Sequence, residues 1–355
     1  MREQRVLSPR DNYIELDKYL QEAGAARIFL VCGGSIRSLA LDGYFQTLAR
    51  RTGIQVTRFS GFQPNPDYES VMVGSDRFRL KECDLIVAVG GGSALDVAKC
   101  IRNRVGSQVS LLAIPTTAGS GSEATHFAVV YKHGVKESVD CGLPDAVLFD
   151  PSALNTLPDY QRKSAMLDAL CHGVESYWSL RATLESQNLA RRAIRLILEN
   201  KDRYLDNDPA GNAEMLTAAN YAGQAINLTA TTAGHAMSYG LSRLCGIAHG
   251  HAAALCVAEL WPYMLQNLSL SPSPGILKRT FQSLAQIMDC ETSEAAASGF
   301  RRLLSQLELE PPSLKTGGMD ELLDMVNVQR LSNHPIPLDR ANIEELYRNI
   351  LRKRE

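Results

Sequence analysis

The run DLIVAVGGGSALDVAKCI, residues 84–101, decides the fold. Its first half is a continuous apolar stretch, the pattern of a strand buried on both faces of a parallel sheet. Gly90-Gly91-Gly92-Ser93 follows, and then a stretch with helical spacing. A glycine turn at that junction lets backbone N–H groups approach a pyrophosphate, and the helix N-terminus favours the negative charge. Such turns also arise for steric reasons alone, and the spacing is not GxGxxG, so the Rossmann fingerprint itself is missing.

Outward from this run the same alternation recurs. ARIFLVC (26–32), IQVTRF (54–59) and SLLAIP (110–115) read as strands, and THFAVVYK (125–132) and DAVLFD (145–150) as further extended pieces. Strands alternating with helices predict an open parallel α/β sheet that binds ligands at the carboxyl ends of its strands. A second polar loop, Pro115 to Glu123, follows SLLAIP and offers the hydroxyls of Thr116, Thr117, Ser120 and Ser122. These can hydrogen-bond a ribose or a nicotinamide amide. Two polar glycine loops at consecutive strand ends favour a nucleotide crevice over a pair of surface turns.

After Pro151 the texture becomes helical, with breakers at DNDPAGN, SLSPSPG, LEPPS and TGG. The turn-rich stretch DPSALNTLP (150–158) marks the boundary. The expected division is an α/β nucleotide-binding domain over 1–155 and an all-helical domain over 156–355, with the active site in the cleft between them.

Within the helical half, Asp168 and His172 in SAMLDALCHGVESYW (164–178) are four apart and share one helix face. A solvated pair at this spacing contributes only about 0.2–0.5 kcal/mol. The small and apolar flanks argue for burial instead. The segment GHAMSYGLSRLCGIAHGHA (234–252) adds His235, His249 and His251, so four of the seven histidines fall in these two segments. One carboxylate with two or three imidazoles suits Fe(II), Zn(II) or Mn(II). A Lewis-acidic metal beside a nicotinamide points to hydride transfer at a carbonyl or alcohol.

Composition excludes other classes. The chain has 355 residues, enough for two cores, with 45% hydrophobic and 21% charged residues. A net charge of −2 carries no nucleic-acid footprint. No apolar run approaches the ~20 residues of a membrane span. The N-terminus is polar and lacks a signal core, so a cytoplasmic location is expected. The eight cysteines form no CxxC pair and read as reduced thiols.

The motifs GFQPNP (61–66), AVGGGSALDVAK (88–99), IPTTAGSGSEAT (114–125), LPDAVLFDP (143–151), LDALCHGVES (167–176) and the AHG around His249 together resemble the iron-containing (group III) alcohol dehydrogenases. These are related in structure to dehydroquinate synthase, and the resemblance covers nearly the whole chain. It implies metal ligands Asp168, His172, His235 and His249, a pyrophosphate loop at Gly91, Gly92 and Ser93, and nicotinamide contacts from the loop of Thr116, Thr117 and Ser120. It also suggests Asp96 and Lys136 as nucleotide contacts and homodimers as a common assembly.

Two departures from the family matter. NAD-specific members carry an Asp after the first strand that accepts the ribose hydroxyls. Here the stretch is Val31-Cys32-Gly33-Gly34-Ser35. With no charge at Gly33 or Ser35 to repel a 2′-phosphate, NADP(H) is expected over NAD(H). Several members also carry a His four residues after the third ligand, where this chain has Tyr239. A phenol with an unperturbed pKa of about 10 is a poorer proton shuttle. Tyr239 is a candidate proton donor, with metal-bound water, His251 or the ribose hydroxyls as the alternative sources.

LDALCHGVESYWS, HAMSYGLS, GIAHGHA and RLSNHPIPL look most like a subgroup that reduces phosphonoacetaldehyde to 2-hydroxyethylphosphonate in phosphonate biosynthesis. A phosphonate needs basic groups near the metal, and Arg243 and His251 are the candidates. The competing expectations are a short-chain aldehyde or ketone reductase, a polyol dehydrogenase, a dehydroquinate synthase-like lyase or cyclase that recycles NAD, and a silent scaffold.

Overall fold

The computed structural model describes residues 4–132, 135–315 and 317–351, the side chains of 10, 11, 135 and 136 excepted. The chain divides into two units, Met1–Pro158 with Asp206–Gly223, and Asp159–Leu205 with Gln224–Glu355.

The first unit holds a six-stranded parallel sheet built from β1 (Arg5–Leu7), β2 (Arg27–Cys32), β3 (Gln55–Phe59), β4 (Leu85–Gly90), β5 (Ser110–Pro115) and β8 (Ala146–Leu148), in the order β1-β8-β5-β4-β2-β3. Two strands, β6 (Phe127–Lys132) and β7 (Val135–Asp140), form a separate antiparallel hairpin. Four helices, α1 (Arg10–Glu22), α2 (Ala40–Thr52), α3 (Tyr68–Leu80) and α4 (Gly92–Val105), alternate with the strands. Every residue of β4 is buried, as its unbroken aliphatic run requires. Strand alternation splits the core between the two faces of the sheet. Ile28, Leu30, Val87 and Val89 pack with Leu16, Leu20, Leu41 and Leu48. Phe29, Val31, Ile86 and Ala88 pack with Val71, Phe78, Val97 and Ile101. Burying one such side chain contributes roughly 1.5–3 kcal/mol.

The helical half runs α5 (Asp159–Trp178), α6 (Leu184–Leu205), α7 (Pro209–Thr229), α8 (Ala233–Cys245), α9 (His249–Gln266), α10 (Pro274–Ile287), α11 (Ser293–Gln306), α12 (Met319–Asp324), α13 (Val328–Leu331) and α14 (Arg340–Leu351). Among the described residues no helix is long and apolar enough to cross a membrane. All eight cysteines are free thiols, although Cys100 and Cys141 bring their Sγ atoms within 3.7 Å.

Three features depart from the sequence expectation. The first unit ends at Pro158 rather than 155, and it includes residues 206–223 from the helical half. The reason lies in two glycines. A Cβ on Gly121 would sit 2.5 Å from the Gly223 Cα, so the second glycine loop and α7 touch backbone to backbone. Periodicity cannot reveal such a contact. The helical texture between the breakers DNDPAGN and SLSPSPG is also interrupted, because Ala230 takes a left-handed φ of 56° and the chain restarts at α8. Finally, β1 and β7 escape sequence reading because one is three residues long and the other, VKESVD, is largely polar.

Candidate active site

The two glycine loops of the first unit leave the sheet side by side, because Gly90 of β4 pairs with Pro115 of β5. A Cβ on Gly91 would lie 3.1 Å from Thr117 Oγ1, and one on Gly92 would lie 3.1 Å from Ser120 Oγ. The bare glycines therefore let the hydroxyl loop close onto the first turn of α4, whose N–H groups have no intrahelical partners. Asn65 N donates to Ser93 Oγ (3.4 Å), which draws the GFQPNP loop to the same place. From β2 the chain passes to β3 on one side and then to β4 on the other. This is the switch point at which open α/β sheets bind nucleotides. Gly33 and the exposed Ser35 follow β2 there.

Asp96 has a different job from the one expected. Its Oδ1 accepts from Ser122 Oγ and its Oδ2 from Val129 N (3.0 Å). Beside it the fully buried Lys99 donates to Ser122 O (2.8 Å), Thr125 Oγ1 (3.0 Å) and Phe127 O. The pair clamps the hydroxyl loop, so both Asp96 oxygens already serve the fold. The side chain of Lys136 lies outside the described residues.

The second unit brings three of the four expected metal ligands, Asp168, His235 and His249, into one group, with His172 beside Asp168. Asp168 Oδ1 is 3.4 Å from His235 Nε2, 3.9 Å from His249 Nε2 and 4.0 Å from His172 Nε2. Asp168, His235 and His249 each bring one ligand atom within 4.8 Å of the others, a group that could hold a metal ion, and the 3.4 Å approach matches the roughly 3.3–3.6 Å between ligand atoms about 2.0–2.2 Å from a tetrahedral ion. The His172 and His235 rings stack at 4.4 Å. Burial disfavours the Asp168 carboxylate, yet His172, His235 and His249 outweigh it and hold its pKa far below the usual range. The side chains of His172, His235 and Asp168 are at most 10% exposed, against 39% for His249. The site therefore opens beside His249.

Sequence reading missed Glu175. It lies seven residues after Asp168 and three after His172, on the same face of α5, and is fully buried. Its Oε1 accepts from Thr232 N (3.0 Å), Thr232 Oγ1 (2.6 Å) and His235 N (3.3 Å), and its Oε2 contacts His235 Nδ1. A carboxylate from α5 thus caps the positive end of α8 and fixes the ring of the ligand that α8 carries. The spacing was visible in the sequence, but the partner was not.

Three further candidates divide. Tyr239 is buried and stacks on His249 at 5.5 Å, and burial raises its pKa. His251 does not join the ligand set. Two residues past His249 it faces around α9, where its Nδ1 lies 3.2 Å from Tyr160 Oη, and burial lowers its pKa to about 4. A neutral imidazole so placed supplies no positive charge for a substrate anion. Arg243 is exposed on α8.

The Glu175–His235 pair makes metal binding depend on pH. Burial lowers the His235 pKa, but the Glu175 and Asp168 carboxylates outweigh it and push the ring up to about 9. The folded value exceeds the unfolded one of about 6.5. The stability it lends the metal-free fold is therefore complete below about pH 6.5 and lost as pH rises through about 9. Metal binding has the opposite sign, since Nε2 must shed its proton, so affinity should climb until about pH 9. Glu175→Gln should weaken Co(II) binding about 10–100-fold at pH 9. At pH 7 the wild type yields about 100-fold to proton competition, so the two proteins should bind nearly alike. A wild-type to variant ratio constant between pH 7 and 9 would refute this coupling.

Two family models match the chain, iron-containing alcohol dehydrogenase over residues 3–151 and the C-terminal part of the Fe-containing alcohol dehydrogenase family over residues 163–351. The chain is 30% identical to a phosphonoacetaldehyde reductase of Streptomyces viridochromogenes over 312 residues, 78% of this chain and 79% of that protein. It is 27% identical to an NADPH-dependent butanol dehydrogenase of Clostridium saccharobutylicum, covering 89% of this chain and 87% of the other. An iron-containing alcohol dehydrogenase structure from Thermococcus thioreducens superposes with a TM-score of 0.87 at 21% identity, over 99% of each chain.

Proposed function

The chain belongs to the iron-containing alcohol dehydrogenase family, whose members are NAD(P)-linked oxidoreductases, and from that premise we propose that it reduces phosphonoacetaldehyde to 2-hydroxyethylphosphonate with NADPH. The observation that carries the substrate is the similarity to the Streptomyces phosphonoacetaldehyde reductase along four fifths of both chains. The cofactor preference rests on the stretch Cys32-Gly33-Gly34-Ser35, which offers a 2′-phosphate no repelling carboxylate.

A divalent metal supplies Lewis acidity toward the carbonyl oxygen, and the nicotinamide supplies the hydride. Asp168, His172, His235 and His249 hold that metal, with Glu175 orienting the His235 ring. Gly91, Gly92 and Ser93 bind the pyrophosphate through backbone N–H groups, and Thr116, Thr117 and Ser120 orient the nicotinamide. Tyr239 keeps its proton at neutral pH, because burial raises its pKa, and serves as a hydrogen-bond donor beside His249.

Metal-reconstituted enzyme should oxidise NADPH with phosphonoacetaldehyde at a kcat/KM about 100-fold above that for propanal or butanal, a difference of about 2.7 kcal/mol. NADPH should be preferred to NADH by about 10-fold or more. Equal or better use of butanal makes the protein a simple aldehyde reductase. A preference for NADH removes the cofactor assignment.

A further inference from the structure

Both helices that bring a histidine to Asp168 start without a cap of their own. Thr232 before α8 and Ala248 before α9 make no side-chain cap hydrogen bond. A helix start leaves backbone N–H groups that need acceptors from elsewhere. For α8 the acceptor is Glu175 of α5, which takes Thr232 N and His235 N. For α9 the acceptors are two hydroxyls of the same helix α5. Tyr160 Oη accepts from Ala248 N (2.9 Å), and Ser164 Oγ accepts from His251 N (3.1 Å). In both helices the N–H groups served are those of the residue just before the first turn and of the third residue within it.

The phenol is itself held in place. Its oxygen takes the Ala248 N–H, and its single proton goes to His251 Nδ1, 3.2 Å away. The two rings meet edge to face at 6.0 Å. Tyr160, Ser164, Asp168 and His172 follow one another at intervals of four along α5. One stripe of α5 therefore carries, in order, two capping hydroxyls and two metal ligands. Neither hydroxyl lies in the motif LDALCHGVES.

The turn capped in this way begins with His249. This ligand is the first residue of its helix, its side chain is 39% exposed, and its Nδ1 lies 3.5 Å from Ser238 Oγ, long for a contact that must fix a ring. His172, by contrast, is buried in the middle of α5. The position of the His249 ring thus follows the position of the backbone turn that bears it.

We propose that Tyr160 and Ser164 are positioning residues for the metal site: they cap α9 from α5 and so place His249 where it can share an ion with Asp168. This rests on the metal assignment above and adds to it two side chains that touch no metal.

The test measures Co(II) affinity by chelator competition, Co(II) d–d absorption and the melting temperature of metal-free protein. The proteins are wild type, Tyr160→Phe, Ser164→Ala, and each variant combined with Ala248→Ser. Tyr160→Phe and Ser164→Ala should each weaken Co(II) binding about 10-fold at the same pH, and lower the d–d absorbance as water replaces an imidazole. Ala248 already has the extended backbone of an N-cap residue, with φ −65° and ψ 150°, so a serine at this position can itself accept from His251 N. Ala248→Ser should therefore return Ser164→Ala to within about 3-fold of wild type. It should leave Tyr160→Phe unrepaired, because the N–H that Tyr160 serves is that of residue 248 itself. Melting temperatures that fall while Co(II) affinity and absorbance hold would show a structural role and overturn the proposal. Equal repair of the two variants by Ala248→Ser, or repair of neither, would overturn it too. Variants that bind Co(II) like wild type sink the proposal alone. A wild type that takes up no Co(II) removes the metal centre, and the proposal with it.

Discussion

Enzyme carrying His235→Ala should retain less than about a tenth of an equivalent of metal and lose at least about 1,000-fold in kcat/KM, the scale expected when Lewis-acid stabilisation worth several kcal/mol disappears. The substitution also strands Glu175. That carboxylate is fully buried, and its imidazole partner holds its pKa well down against a desolvation penalty that alone would raise it. With the imidazole gone, Thr232 N, Thr232 Oγ1 and the backbone N–H of residue 235 remain its partners. Leaving a buried charge without its ionic partner costs about 3–5 kcal/mol. The metal-free variant should therefore melt well below the metal-free wild type. His172→Ala makes the useful contrast, because it removes a ligand without orphaning Glu175. It should lose the metal while keeping most of the metal-free stability. Elemental analysis and thermal melts of both metal-free proteins read the two effects separately. Activity surviving in a metal-free His235→Ala preparation would remove the metal from the account.

The other large effect comes from one methyl group. A Cβ on Gly250 would lie 2.0 Å from the carbonyl oxygen of Ser164 and 2.8 Å from Asp168 Cβ. The first of these is backbone and cannot rotate aside, so α9 must move away from α5. Overpacking of this kind costs about 3 kcal/mol or more. The displacement also pulls His249 away from Asp168, now 3.9 Å apart between Nε2 and Oδ1. Gly250→Ala should lower both the melting temperature and the metal affinity. Gly275→Ala supplies the opposite sign. In the first turn of α10 its new methyl would meet nothing nearer than Arg279 Nη1 at 3.8 Å, so it should stabilise by about 0.5–1 kcal/mol. If Gly250→Ala melts like wild type, the close crossing of α5 and α9 is not what the structure shows.

Much of this site was legible beforehand, for identifiable reasons. Asp168 and His172 declare themselves because helical spacing is local, and one turn suffices to put both on a face. The glycine loops declare themselves because a buried parallel strand leaves a distinctive apolar run before them. His235 and His249 stood out in a histidine-rich segment, the family resemblance separated them from His251, and the geometry then brought them to Asp168. What failed to show was what depends on the partner rather than the spacing. Glu175 stood in plain view on the ligand face, but only the placement of α8 over it reveals a cap. The family resemblance suggested Asp96 as a nucleotide contact, whereas in the fold its two oxygens accept from Ser122 Oγ and Val129 N. His251 read as a substrate group from its nearness in sequence to His249, but two residues along a helix point to opposite sides.

The contact between Gly121 and Gly223 spreads the constraint on the hydroxyl loop into a distant part of the gene. Glycine within a helix costs about 1 kcal/mol relative to alanine, so position 223 bears a standing penalty within α7. The hydroxyl loop is the beneficiary, because a side chain at 223 would meet the Gly121 carbonyl oxygen at 2.6 Å. Neither position can drift by itself, and a change at one has no single compensating change at the other, since both backbones occupy the same gap. Among relatives the two should be inherited as a linked pair, one member of it lodged in a helix about a hundred residues along the chain from the loop.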